Sequence, residues 1–269
     1  VKPNRTTAPN LFGATQSIIA ARASCRFSLG ELAALRQEPV EINGNKLSPS
    51  TFKHSDNQTV AGLHAVSQAI RAAGMDGADF QEWGALACPR FFARSEMAGA
   101  LTRYAMEGAW GISPHLIPHR SLHSVSGTLS QAMKLHGPNY GVGGGLDGVA
   151  ETFLTGAALI SGGALPGLWI VLTGFDPELV PTFHFHAEPV APVADCIAVA
   201  LALVPAANVS EGLVLTVGMD GDDPETQHAP AMTLERLAES LRGPMSMVRW
   251  TLPCGGWARI ENVRTPLEI

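Results

Sequence analysis

The stretch Asp195 to Val204 (DCIAVALALV) carries nine apolar residues in a row behind a single acidic one. Leu168 to Thr173 (LWIVLT) is a second run of the same kind. A strand with one wet face alternates apolar and polar residues, so continuous runs predict strands covered on both sides. Such strands need helices above and below them, which points to the α/β class with a central mixed sheet. With 269 residues, 46 % of them apolar, the chain has material for one large α/β domain or two small ones.

The clearest covering helix runs from Ser55 to Ala73, where Val60, Leu63, Val66, Ala69, Ile70 and Ala73 recur at helical spacing. Ser55-x-x-Gln58 reads as its capping box, and Gly74 ends it. A second capping box, Ser28-x-x-Glu31, opens a short helix to Leu35. Trp83 to Cys88 reads as a strand, Ser95 to Ala109 as a helix, and Ser124 to Leu135 as another, with Val125, Leu129, Ala132 and Met133 on one face. Ser17 to Ala23 fits a helix or a strand, Glu38 to Pro49 a loop, and Phe175 to Pro192 a surface excursion. After Glu211 come a strand (Leu213 to Gly218), an acidic loop (Asp220 to Glu225) and a helix (Leu234 to Leu241) capped by Thr233. Two short strands follow, Met247 to Leu252 and Trp257 to Glu261.

His136 to Gly163 (HGPNYGVGGGLDGVAETFLTGAALISGG) is the stretch in which chemistry is expected. His136-Gly137-Pro138 is a turn, and Tyr140 to Gly145 is β-compatible. Asp147 is placed to cap a helix with apolar positions at Val149, Phe153, Leu154, Ala157 and Ala158, which Gly162-Gly163 stop. Glycine-rich turns into helix N-termini hold phosphates, oxyanions or nucleophiles. Gly143-x-Gly145-x-x-Gly148 matches the dinucleotide-binding spacing. That fingerprint, however, normally follows an apolar strand at the start of a fold, and this one follows Pro138-Asn139-Tyr140 in mid-chain. Asp147 would also set a carboxylate against the phosphates.

Other chemistries find less support. A net charge of −6 and a pI near 5.8 argue against a nucleic-acid partner, and Arg90, Arg94 and Arg103 read as ordinary surface charges. Cys25, Cys88, Cys196 and Cys254 form no Cys-x-x-Cys site, so free thiols in the cytoplasm are expected. His115, His119, His123 and His136 cluster in sequence, and His184-x-His186 has a spacing seen in some metal sites. No third ligand falls at a characteristic interval, so these read as solvated loop histidines; neither metal nor cofactor is expected. Ser126 and Ser130 lie near His123 without a Gly-x-Ser-x-Gly elbow. No run of eighteen apolar residues is present, so no membrane span is expected, and no signal peptide is visible.

The glycine-rich stretch resembles the nucleophile segment of the β-ketoacyl synthases, of the thiolase-like superfamily. Their pattern is Gly-Pro, a strand, a Thr-Ala-like pair, the catalytic Cys and a helix of small residues. Counted from Gly137, the tenth residue is Leu146, and Gly144-Gly145 stand in place of Thr-Ala. Upstream, Ser126-Gly127-Thr128 and Leu135-His136-Gly137-Pro138 match the family's preceding helix. Gly174-Phe175-Asp176 and the 195–204 run match two later strands. The family's His-Gly-Thr and Lys-x-x-x-Gly-His contexts are absent. Pro253-Cys254-Gly255-Gly256-Trp257-Ala258 is similar to its C-terminal Gly-Phe-Gly-Gly-x-Asn-Ala turn, whose backbone N–H helps form the oxyanion hole.

The resemblance implies a thiolase-like α/β fold: a single domain over 1–269, like an N-terminal half to about 205 with a reduced part over 206–269. The chain resembles the short ketosynthase-like proteins that accompany full ketosynthases in aryl polyene and related polyketide clusters, grouped with chain-length factors, which implies polyketide or fatty-acid-type biosynthesis. The implied role is a non-condensing subunit, a pseudoenzyme that pairs with a full-length β-ketoacyl synthase as a heterodimer and shapes the acyl tunnel. The resemblance also allows acyl carrier protein as a further partner. Leu146, Gly145, Cys254 and Gly255 would line the vestigial pocket. Asn139, Tyr140 and Val142 would lie on the dimer strand, with Leu129, Met133, Tyr140 and Leu146 as tunnel candidates. The alternatives are an acyltransferase or hydrolase using another nucleophile, such as Cys254, or a homodimeric binder of acyl chains or carrier protein.

Overall fold

Both apolar runs are central strands in the computed structural model, which describes residues 13–181, 193–206, 211–219, 229–243, 245 and 247–263. The expected acidic loop 220–225 and the His184/His186 pair lie outside the described residues. In chain order the elements are β1 (Thr15–Ser28), α1 (Leu29–Leu35), β2 (Val40–Ile42), β3 (Asn45–Leu47), α2 (Pro49–Phe52), α3 (Asn57–Ala72) and β4 (Gly84–Pro89). Then come α4 (Arg94–Glu107), α5 (Leu116–Arg120), α6 (His123–Met133), β5 (Asn139–Gly141), α7 (Gly148–Ser161), β6 (Leu168–Asp176) and β7 (Asp195–Pro205). The chain closes with β8 (Gly212–Gly218), α8 (Leu234–Arg242), β9 (Met247–Thr251) and β10 (Trp257–Val263).

Eight of these strands form one mixed sheet in the order β5-β4-β6-β7-β1-β8-β10-β9. β5, β4 and β6 are parallel, and every pairing from β6 to β9 is antiparallel. The uninterrupted run in β7 hides an alternation of size. Cys196, Ala198, Ala200 and Ala202 face one core, while Ile197, Val199, Leu201 and Leu203 face the other. The small-residue face lets α3 lie close: a Cβ on Gly62 would come within 2.8 Å of Val171 Cγ1. α3 and α6 cover that side, and α7 and α8 cover the large-residue side together with Trp250 of β9. Both sheet faces are thereby dry, which is what the continuous runs require.

The expected α/β architecture is present, with local differences. Ser17 to Ala23 is strand, part of β1. The loop expected over Glu38 to Pro49 is a hairpin, β2 and β3, turned by Asn43-Gly44, both at positive φ; the Asn-Gly pair is the signal for it. α3 is capped by Asp56, not Ser55: the Asp56 carboxylate accepts the Gln58 N–H at 2.7 Å. The Ser28/Glu31 box and the Thr233 cap form as expected. Asp147 precedes α7 but makes no side-chain capping bond.

Candidate functional site

β4, β5 and β6 end at the same edge of the sheet, and the glycine-rich turn is laid across that end. Val142 N–H donates to Ala87 O at 2.8 Å, and Gly144 O accepts from Phe91 N–H at 2.6 Å. Gly143 and Gly144 have φ of +68° and +111°, the left-handed region that favours glycine. Gly148 is glycine for another reason: a Cβ there would overlap the Cys88 sulfur. The literal Gly-x-Gly-x-x-Gly spacing thus serves a tight turn and close packing on β4, not a pyrophosphate.

Cys88 lies beneath the first turn of α7, where the helix dipole favours a thiolate. Burial dominates and pushes the thiol up, with Thr152 and the Gly144 backbone partly offsetting it. The space beside it is about 10 Å³, bounded by Cys88, Arg90, Leu146, Val149, Thr173 and Leu234. That is the scale of a single water, far too small for an acyl chain. Leu234 enters from α8, so the C-terminal part of the chain helps fill this space.

Arg90 holds the rim. Its Nη1 lies 2.6 Å from Glu235 of α8, its Nε 3.4 Å from Glu178 without hydrogen-bond geometry, and Nη2 donates to Phe175 O. Gln58 of α3 donates to Arg90 O at 3.0 Å and accepts from Thr173 at 2.9 Å. Arg90 is therefore a largely buried clamp, which corrects its reading as a surface charge. Nothing local in the sequence marks it, because its carboxylate partners lie 88 and 145 positions downstream.

The expected site residues separate into groups. Gly145 and Leu146 stand together at the head of α7, and Leu146 is 72 % exposed. Its side chain projects outward instead of filling a nucleophile pocket. Tyr140, on edge strand β5, is 49 % exposed, and Leu122, which sequence reading missed, is 37 % exposed against Gly144. Asn139 and Val142 are half-buried on and just after β5. Leu129 and Met133 pack in the α3-side core, at 1 % and 3 % exposure.

Cys254 and Gly255 do not join Leu146. They sit in the turn between β9 and β10, beyond the pair Trp257–Thr251. Trp257 pairs with Gly218, and Val217 with Thr15 at the start of β1. The turn with Leu146 lies at the other end, where β4 and β6 finish. Strand register thus places the exposed Cys254 at the opposite end of the sheet from the glycine-rich turn, against its expected place in one pocket with Leu146.

Among the described residues, no group of three His, Cys, Asp or Glu side chains is arranged to hold a metal ion. No helix among them is long and apolar enough to cross a membrane.

No protein-family profile matches the sequence, and no curated protein matches it. Solved structures do. One is the ishigamide ketosynthase/chain length factor, at TM-score 0.59 and 14 % identity over 93 % of this chain and 99 % of that one. Another is the ketosynthase ApeO in complex with its chain length factor ApeC from Xenorhabdus doucetiae, at TM-score 0.52 and 16 % identity over 91 % and 96 %. A third is AntDE:AntF, a type II polyketide acyl-carrier protein in complex with its ketosynthase, at TM-score 0.55 and 11 % identity over 93 % and 99 %. At these identities the likeness establishes the fold: the chain has the thiolase-like architecture of the ketosynthase/chain length factor proteins.

Proposed function

We propose that this chain is a non-condensing, chain-length-factor-like subunit that pairs with a full β-ketoacyl synthase in polyketide or fatty-acid-type biosynthesis. The observation that carries the reading is Leu146. It stands at the head of α7, where the resemblance puts the catalytic Cys, and it projects from the surface. A leucine supplies neither nucleophile nor proton. Cys88, beside the turn, is buried with its thiol pushed up, and Cys254 is not nearby but at the far end of the sheet. The acyltransferase or hydrolase alternative therefore lacks its proposed nucleophile at this site.

The same surface suits a partner. β5 is a three-residue edge strand, and Leu122, Tyr140 and Leu146 expose apolar side chains beside it. Edge strands and apolar exposure are both features that a second chain can cover. In this reading the growing acyl chain lies mainly in the partner, and Leu146 meets it from the facing side. The neighbours named as ketosynthase/chain length factor and ketosynthase/carrier-protein complexes support a ketosynthase partner and, with it, contact with a carrier protein. A single-domain organisation, reduced after residue 205, and a cytoplasmic location belong to the same proposal.

Co-expression with a full ketosynthase encoded beside it, followed by size exclusion and native mass measurement, tests the proposal. A stoichiometric heterodimer is expected, with Leu146→Glu abolishing it and Leu146→Trp altering product length. A chain that remains alone or self-paired, beside a ketosynthase equally active without it, would sink the reading.

A further inference from the structure

A cleft of about 490 Å³ opens between α4 and the segment leading into α5, apart from the Leu146 surface. Lys53 and His54 line it from the α2–α3 connection, Arg103 from α4, and His115 and Arg120 from the α5 side. The His54 and His115 rings stack with centroids 4.3 Å apart and planes within 9°. His119 stands 5.8 Å from His54 and 6.1 Å from His115. Arg120 ties the two segments together, donating from Nη1 to His54 O at 2.7 Å and His119 O at 3.0 Å. Sequence spacing did not show this cluster, because His54 comes from a different segment.

The charges facing the cleft do not balance. Lys53, Arg103 and Arg120 oppose Glu96 on α4. Glu107, four residues beyond Arg103 and not part of the lining, lies against Gly111, whose carbonyl accepts the Arg103 Nε–H at 3.3 Å. Asp56 is buried at the head of α3, within the fields of Arg36, Arg120 and Glu96. With the imidazoles neutral, the four lining charges leave an excess of two positive charges. Desolvation first, then His115, Lys53 and Arg120 for His54, and His54, Arg120 and His115 for His119, hold these two imidazoles below their usual range. A doubly charged anion in the cleft would meet the excess and oppose the charge repulsion that adds to desolvation in lowering these two imidazoles.

We propose that this cleft binds the phosphate group of a phosphate monoester. The excess of two matches a dianion. Lysine, arginine and imidazole N–H donors from three segments suit several oxygens on one centre. The volume leaves room for the organic part of an ester. Binding draws protons onto His54 and His119, so it is coupled to pH.

The test is imidazole NMR on the full chain at constant chloride ionic strength. It is titrated with inorganic sulfate, inorganic phosphate and phenyl phosphate at pH 6, 7 and 8. Saturable shifts at His54, His115 and His119, but not at His123 or His136, are expected. Sulfate keeps its charge over this range, so its affinity isolates the protein's protons. It should rise as pH falls, by up to about tenfold per unit for each proton taken up. Lys53→Gln and His115→Asn, both at exposed positions, should each weaken binding severalfold, and phenyl phosphate should bind more tightly than inorganic phosphate. Linear shifts without saturation, pH-independent sulfate affinity, or unchanged affinity in both variants would overturn the anion site. Equal affinity for inorganic phosphate and the monoester would overturn the assignment of ligand class.

Discussion

The Cys88 sulfur occupies the space that a Cβ on Gly148 would need. One residue is the penultimate residue of β4 and the other begins the helix above it, so their contact sets how closely α7 approaches β4. The turn carrying Leu146 depends on that approach.

Gly148→Ala is therefore expected to destabilise the chain by about 1–3 kcal/mol through overpacking, despite alanine's better helix propensity. Cys88→Ala removes the obstructing sulfur, so the double variant should be more stable than the sum of the single changes predicts. Urea denaturation of the four proteins measures the coupling. Additive effects would mean that the two sites do not share the space.

The four cysteines should separate by reactivity. Burial pushes the Cys25 thiol up to about 11 and raises Cys88 and Cys196 as well, whereas Cys254 is exposed. Thiolate is the reacting species, so at pH 8 the folded chain should take up one alkylating group, at Cys254, with the other three reacting only on unfolding. Peptide mass spectrometry checks this. Fast labelling of Cys88 in the folded protein would show that the glycine-rich turn opens readily.

Asp56 makes stability depend on pH. Burial, with Glu96 nearby, raises its carboxyl to about 7, against the opposing pull of the Gln58 N–H, Arg120 and Arg36. A carboxyl whose folded value exceeds its unfolded value of 3.8 binds a proton more tightly in the folded state. Its contribution is full below pH 4 and is lost as pH rises to 7. Asp56→Asn keeps a capping oxygen and removes the charge. It should flatten the pH dependence over that window and stabilise the chain at pH 8 by on the order of 1–3 kcal/mol. Parallel unfolding curves for both proteins from pH 4 to pH 8 would contradict this.

Arg90 joins β4, α8 and the segment after β6. Arg90→Ala leaves Glu178 and Glu235 partly buried without their cation, and losses of about 2–4 kcal/mol are expected. Denaturant midpoints measure it, and Arg90→Lys should recover only part because it lacks the fork that reaches all three partners. A loss below about 0.5 kcal/mol, the scale of an ordinary surface substitution, would show Arg90 to be a surface charge after all.

The amino-acid sequence alone determined those features that depend on near neighbours. The runs at 168–173 and 195–204 are strands because no polar residue interrupts them, and α3 is a helix because its apolar residues recur at helical spacing. The Ser28/Glu31 and Thr233 caps, and the leucine at position 146, were equally legible. Tertiary structure decided what depends on pairing across the chain. The β8–β10 register carries Cys254 away from Leu146, although a short motif suggested one pocket. Partners 88 and 145 residues away turn Arg90 from a surface charge into a clamp. His54 reaches His115 and His119 only because the α2–α3 connection folds against α5. Leu146 faces outward because Cys88, Val149 and Leu234, from three separate elements, already occupy the space beneath it. Periodicity and capping act over one or two turns of chain, whereas register, burial and charge pairing are settled by contacts between segments far apart in sequence.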